Sequence, residues 1–175
     1  TALFYQNGSR GVNIEPDPDL FTEISRARKK DVNLNYGVGE REGVMDFYVV
    51  NVSTLNTFSK EDVESYSEQG DYKVVKIIPV PMRTLNSILD ECFDGGFPDF
   101  LSLDVEGMDE EIIKSIDYEG SCPTVICVET ISFSNSGNGV KNTSMVAFLE
   151  SKGYMVYADT YINTIFVRED KWKGH

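Results

Sequence analysis

Two kinds of hydrophobic pattern follow one another along the chain: short apolar or alternating runs, and longer stretches with apolar residues at helical spacing. Leu20, Phe21, Ile24 and Ala27 illustrate the second kind, because they would share one face of a helix. Strands are predicted at residues 11–15, 32–38, 44–50, 74–80, 100–105, 124–130, 154–158 and 162–167. Helices are predicted at residues 17–29, 84–93, 108–116 and 143–152.

This order of elements predicts an α/β protein. Strands that alternate with helices form a sheet covered by helices on both faces, so we expect a three-layer fold with a mostly parallel sheet. The last two strands follow each other directly and should place an antiparallel strand near one edge. The strands at 32–38 and 44–50 should pair as a hairpin or lie as neighbours. Without an interdomain linker in the sequence, residues 1–175 are predicted to form one domain.

Charge and composition restrict the partners of this domain. The formal net charge is −13, and such a surface repels phosphate backbones, so we expect no nucleic acid partner. No apolar run reaches the ~20 residues that cross a bilayer, so no membrane span is expected. The three cysteines lack CxxC spacing and fit buried thiols, and no signal peptide is visible, which together predict a cytoplasmic protein. The oligomeric state stays open, a homo-oligomer included.

Histidine chemistry is largely excluded. His175 is the single histidine and the last residue, which argues against a His-assisted nucleophile and against a His-rich metal site. Proton transfer is therefore expected from a carboxylate, a Tyr, a Lys or water.

Carboxylates stand at the ends of several predicted strands, where α/β sheets bind their ligands. Glu15 ends the first predicted strand and could accept hydrogen bonds from both hydroxyls of a ribose. Pro16 restricts the backbone that follows and is a further candidate cofactor contact. The alternative is an acid beside a helix N-terminus, where Asp17 and Asp19 already serve as cap and first-turn charge.

A second group of acids follows the strand at 100–105. Asp104 and Glu106 flank Val105, and one of them could accept a proton from a substrate hydroxyl, so both are candidate catalytic residues. Together with Glu129, at the end of another strand, they could instead hold a divalent cation, an alternative that we do not predict. Capping of the following helix is also open for these acids, and we assign that role to Asp109 and Glu110.

Two polar segments complete the set of candidates. Asn35 and Gly37, at a predicted strand end, could border the adenine of a nucleotide, although an ordinary loop is an equal alternative. Ser53 and Thr54 offer hydroxyls to a polar substrate, with a solvated turn as the alternative, and Glu129 is a further candidate substrate contact. The small, polar segment 132–139 is predicted to be a mobile loop that could close over a substrate.

Taken in order, these segments resemble the FkbM-type methyltransferase family. The residues that carry the resemblance are those at 10–21 (RGVNIEPDPDLF), 33–48 (NLNYGVGEREGVMDFY), 53–61 (STLNTFSKE), 99–117 (DFLSLDVEGMDEEIIKSID) and 125–130 (VICVET). The resemblance implies a Rossmann-like fold and transfer of a methyl group from S-adenosylmethionine to an oxygen of a small molecule, natural product or sugar. Asp104 also lies near the methyl donor by this resemblance, and Glu15 matches the ribose-binding acid.

Members of this family carry, upstream of these motifs, a strand and a glycine loop of the form D-[IV]-G-A-N-x-G that wraps the methionine part of the cofactor. We find no equivalent in this sequence and expect the first strand and its loop to precede Thr1 in the complete protein.

Two other functions stay open. A catalytically silent methyltransferase-like module would use the same fold for binding. A nicotinamide-dependent oxidoreductase could use Glu15 for its own ribose, but it would also need a glycine loop. The identity of the methyl acceptor does not follow from the sequence.

Overall fold

The computed structural model describes residues 1–68, 72–105, 107–131 and 139–172, with the side chains of 66–68 left out. Its helices are α1 (Ala2–Gln6), α2 (Pro18–Ala27), α3 (Lys60–Glu68), α4 (Leu85–Phe93), α5 (Asp109–Lys114) and α6 (Thr143–Ser151), with a 3-10 turn at Ser53–Leu55. Its strands are β1 (Val12–Ile14), β2 (Val32–Leu34), β3 (Gly37–Val38), β4 (Gly43–Val50), β5 (Val74–Arg83), β6 (Phe100–Leu103), β7 (Val125–Glu129), β8 (Tyr154–Asp159) and β9 (Asn163–Arg168).

The chain divides into two compact units, Thr1–Ile88 and Leu89–His175. Both contain strands and helices, so the protein is a mixed α/β protein with parallel and antiparallel strands. The predicted α/β class is confirmed to that extent. The three-layer, mostly parallel arrangement stays a prediction. No helix in the described part of the chain is both long enough and apolar enough to cross a membrane.

In the first unit, β1 and β2 pair in parallel, with Val12 opposite Val32, and α2 connects them. Asp17 begins this helix as its N-cap, accepting hydrogen bonds from two backbone N–H groups, and Pro18 fills the first helical position, where a missing N–H costs nothing. The predicted capping role of Asp17 is therefore confirmed. The parallel pair brings the residues that follow β1 and β2 to one edge.

The second sheet of this unit corrects one prediction. The strands predicted at 32–38 and 44–50 were expected to pair or be neighbours, but β3 and β4 lie on opposite sides of β5. Gly37 of β3 and Gly43 of β4 both stand opposite Met82 of β5, the first in a parallel and the second in an antiparallel register. The ten-residue β5 pairs along the whole length of β4, which the two-residue β3 could not provide. The buried apolar residues of this unit are Val38, Phe47, Val50, Val63, Val80, Met82, Leu85 and Ile88.

The described residues of the second unit form a four-stranded sheet with the strand order β6-β7-β9-β8. β6 and β7 are parallel, with Leu103 opposite Val128, and β8 and β9 form the antiparallel hairpin expected at the end of the chain. Its buried apolar residues are Leu89, Leu103, Ile112, Ile113, Ile116, Ile126, Val128, Met145, Leu149, Tyr154, Phe166 and Val167. Here too, polar residues follow the carboxyl ends of a parallel pair of strands.

Candidate functional site

Glu15 follows β1 directly and keeps one carboxylate oxygen without a hydrogen bond to the described residues. Its backbone N–H donates to Leu34 O at 3.1 Å and extends the ladder between the two parallel strands. Its Oε1 accepts a hydrogen bond from Asp17 N at 2.9 Å, whereas Oε2 has no hydrogen bond to the part of the chain that the structure describes. Burial raises the pKa of this half-buried carboxyl, the hydrogen bond from Asp17 N lowers it, and the net direction is upward.

Asn35 joins the end of β2 to the turn after β1. Its Nδ2 donates to Glu15 O at 2.7 Å and to Pro16 O at 3.1 Å. The predicted cofactor contacts Glu15, Pro16 and Asn35 therefore lie together at the carboxyl end of this parallel pair. The amide of Asn35 stabilises the turn, and its predicted contact with an adenine stays a prediction.

A buried pair that the sequence reasoning missed supports this turn. Asn56 Nδ2 donates to Asp17 Oδ2 at 3.0 Å, and Asn56 Oδ1 accepts from Val50 N at 2.8 Å. Both residues are buried: Asn56 is 7% exposed and Asp17 is 6% exposed. The sole sequence signal was an Asn inside a Ser/Thr-rich segment, and 39 residues separate the partners along the chain.

Gly37 is packed against two side chains of the first unit, and its predicted contact with an adenine stays a prediction. It is buried, and a Cβ at this position would overlap Met82 Sδ and lie 2.6 Å from Phe58 Cζ. The missing side chain thus leaves this buried space to the ends of the Met82 and Phe58 side chains. Ser53 and Thr54 are exposed at the start of the 3-10 turn, where their predicted substrate contacts remain predictions.

In the second unit, Asp104 and Glu129 are brought side by side. Leu103 stands opposite Val128, so the next residues of the parallel strands β6 and β7 are neighbours, and their carboxyl groups are hydrogen-bonded. Burial, the charges of Asp104 and Asp109, and this hydrogen bond raise the pKa of Glu129 to about 7. Near neutral pH the carboxyl group of Glu129 is therefore partly protonated.

Asp109 is a third acid of this group and is 6% exposed. Burial and the charge of Asp104 raise the pKa of Asp109 to about 6, against hydrogen bonds from the backbone of Val105, Gly107 and Asp109 itself. The Asp109 Oδ1 accepts from Val105 N at 3.4 Å and so holds the chain directly after β6. The predicted capping role is modified, because Met108 is the N-cap of α5 and Asp109 is its first residue.

The ordered motifs of this chain match a known protein family. A family model described as the methyltransferase FkbM domain matches residues 1–156. The chain belongs to the FkbM methyltransferase domain family. The resemblance predicted from the ordered motifs is thereby confirmed, and the match includes Glu15, Asp104 and Glu129. No curated protein and no solved structure matches the chain.

Within this FkbM domain, Glu110 forms hydrogen bonds between helices and is not part of the Asp104–Glu129 pair. Its carboxylate accepts hydrogen bonds from Lys114 Nζ at 2.6 Å, Asn142 Nδ2 at 2.7 Å and Ser144 Oγ at 2.9 Å. These bonds lower the pKa of Glu110 to about 2, so the group is ionised at neutral pH. Glu110 thus connects α5 to the N-terminus of α6.

Two predicted parts of the site lie outside the described residues: Glu106 and positions 132–138 of the predicted loop. Their proposed roles therefore stay predictions. Among the residues that the structure describes, no group of three or more His, Cys, Asp or Glu side chains is arranged to hold a metal ion.

Proposed function

We propose that this FkbM domain transfers a methyl group from S-adenosylmethionine to a hydroxyl oxygen of a small molecule, a natural product or a sugar. The observation that carries the proposal is the Oε2 of Glu15, which accepts no hydrogen bond from the described residues, at the carboxyl end of a parallel pair in a chain of a methyltransferase family.

The residues of the first unit fit the nucleoside part of this cofactor. A half-buried carboxylate with one free oxygen can accept a hydrogen bond from a ribose hydroxyl, and Asn35 and Pro16 hold the backbone beside it. Gly37 is packed against protein atoms and contributes through its backbone alone. The net charge of −13 also suits a cationic ligand.

When bound, S-adenosylmethionine supplies an electrophilic methyl group on a sulfonium sulfur. The acidic residues of the second unit have the chemistry to remove a proton from an acceptor hydroxyl. Asp104 and Glu106 are the proposed bases, and Glu129, whose pKa is raised to about 7, is the proposed substrate contact. Holding the acceptor oxygen in line with the methyl group would supply about 7–11 kcal/mol of the rate enhancement.

Calorimetric titration of the intact protein tests the cofactor. We expect S-adenosylmethionine and S-adenosylhomocysteine to bind and NADH not to bind. Glu15→Gln keeps an oxygen for Asp17 N but removes the charge and one acceptor, and it should weaken binding roughly tenfold or more, as expected for loss of a hydrogen bond to a charged group.

Glu23→Gln, the same change at an exposed position of α2, is the matched control and should bind like the wild type. If NADH binds and S-adenosylmethionine and S-adenosylhomocysteine do not, the protein is an oxidoreductase and the proposal is wrong. Cofactor binding without methyl transfer to any of a panel of hydroxylated acceptors would indicate a silent module.

A further inference from the structure

Asp17 forms hydrogen bonds through four atoms: its backbone oxygen accepts from Phe21 N within α2, and the other three atoms bear on the turn that carries Glu15. Its Oδ1 caps α2 by accepting from Asp19 N at 2.8 Å and Leu20 N at 3.3 Å. Its backbone N–H donates to Glu15 Oε1. Its Oδ2 accepts from Asn56 Nδ2. The position of Asp17 therefore sets both the start of the helix and the orientation of the Glu15 carboxylate.

Asn56 is the side chain that fixes the second oxygen of Asp17. Because its own Oδ1 accepts the Val50 N–H, its Nδ2 must face Asp17, and the amide cannot turn over without losing both bonds. The pair is almost completely shielded from water, where a missing partner is costly. Strand β4 is thus connected, through Asn56 and Asp17, to the turn that carries Glu15.

From this network we infer that Asn56 is a positioning residue for Glu15: it holds Asp17 so that Glu15 presents Oε2 to the ribose of the cofactor. The inference rests on the proposed function, since it assigns Asn56 an effect on cofactor affinity. A purely structural Asn56 would stabilise the fold and leave the affinity of the folded protein unchanged.

An exchange of the two side chains separates these roles. Asn56→Asp keeps an oxygen for Val50 N but places a carboxylate against the carboxylate of Asp17. Asp17→Asn keeps an oxygen for the cap of α2 but places two amide groups donor to donor. In the double variant, the amide introduced at position 17 can donate to the carboxylate introduced at position 56, so the bond is restored with its direction reversed. The helix also retains a good N-cap, since Asn caps about as well as Asp.

The readouts are the Kd for S-adenosylhomocysteine by calorimetry and the melting temperature of the intact protein. We expect each single variant to bind roughly tenfold more weakly and the double variant to recover to within about threefold of the wild type. The matched control is Asn142→Asp, because Asn142 Nδ2 also donates to a carboxylate, that of Glu110 at 2.7 Å, in the second unit of the chain. It should retain wild-type affinity.

Single variants that melt earlier but bind with wild-type affinity would overturn the inference and leave the proposed function intact. A double variant that binds as weakly as the single variants would overturn it as well. If Asn56→Asp does not fold, Asp17→Asn and the double variant make the same comparison. A wild-type protein that binds no S-adenosylhomocysteine would instead reject the proposed function, and the inference with it.

Discussion

At the scale of single residues, the same side-chain type has different chemistry in different places. Glu110 and Glu129 are both glutamates of the second unit, yet the pKa of the first falls to about 2 and that of the second rises to about 7. Glu110 accepts bonds from a cation, an amide and a hydroxyl, whereas Glu129 is half-buried beside two aspartates. The local environment therefore makes Glu110 an ionised hydrogen-bond acceptor between helices and Glu129 a candidate for proton transfer.

Gly37 provides a test at this scale. Gly37→Ala should destabilise the protein by roughly 1–3 kcal/mol, because the new methyl group would overlap Met82 Sδ and Phe58 Cζ. The free energy of unfolding in urea measures this effect. Gly11→Ala is the control, since no atom lies within 4 Å of a Cβ at Gly11, and it should change stability by less than about 0.5 kcal/mol. Equal stability of both variants would show that the packing around Gly37 is looser than described.

At the scale of elements, side chains at helix termini determine how the candidate residues are held. Asp17 begins α2, and Asn142 begins α6 by accepting from Met145 N at 3.0 Å. Both caps also bond to a second element, Asp17 to Asn56 and Asn142 to Glu110. Each cap therefore serves two purposes, satisfying a helix terminus and joining distant parts of its unit.

Asn142→Ala should reduce stability by about 1–2 kcal/mol, since it removes the cap of α6 together with the bond to Glu110. Amide hydrogen exchange should show that the first turn of α6 loses protection before the rest of the helix. Thr143→Ala, at the next and exposed position, should have little effect. A loss of protection spread evenly over both units would contradict a local capping role.

At the scale of the whole molecule, the raised pKa values of Glu129 and Asp109 make folding stability depend on pH. Folding favours the protonated form of each group, so their contribution is complete below the unfolded pKa values of 4.5 and 3.8. It is lost as the pH rises through the folded values of about 7 and about 6. These two groups therefore make the protein less stable as neutral pH is approached from below.

Denaturant unfolding of the wild type and of Glu129→Gln at several pH values between 4.5 and about 7 tests this expectation. The wild type should lose more stability over this interval than the variant, because Gln cannot ionise. Asp99→Asn, at an exposed position of the same unit, should follow the wild-type curve. Parallel curves for the wild type and Glu129→Gln would show that Glu129 has an ordinary pKa.

Much of the secondary structure followed from local pattern. The predicted helices at 17–29, 84–93 and 143–152 correspond to α2, α4 and α6, because apolar periodicity and capping residues act over a few neighbouring positions. The ordered motifs were also sufficient for the family, which the match over residues 1–156 confirms. Strand partners were less predictable, as the separation of β3 and β4 by β5 shows, because pairing depends on residues far apart in the chain.

By itself, the sequence determined most of the strands and helices and which acids stand at strand ends, since these properties depend on short-range periodicity and on side-chain type. Only the tertiary structure decided that Asn56 bonds to Asp17, that Gly37 faces Met82, and that Asp104 and Glu129 are neighbours. It also decided the protonation of Glu129, because desolvation and nearby charges arise only when distant segments come together.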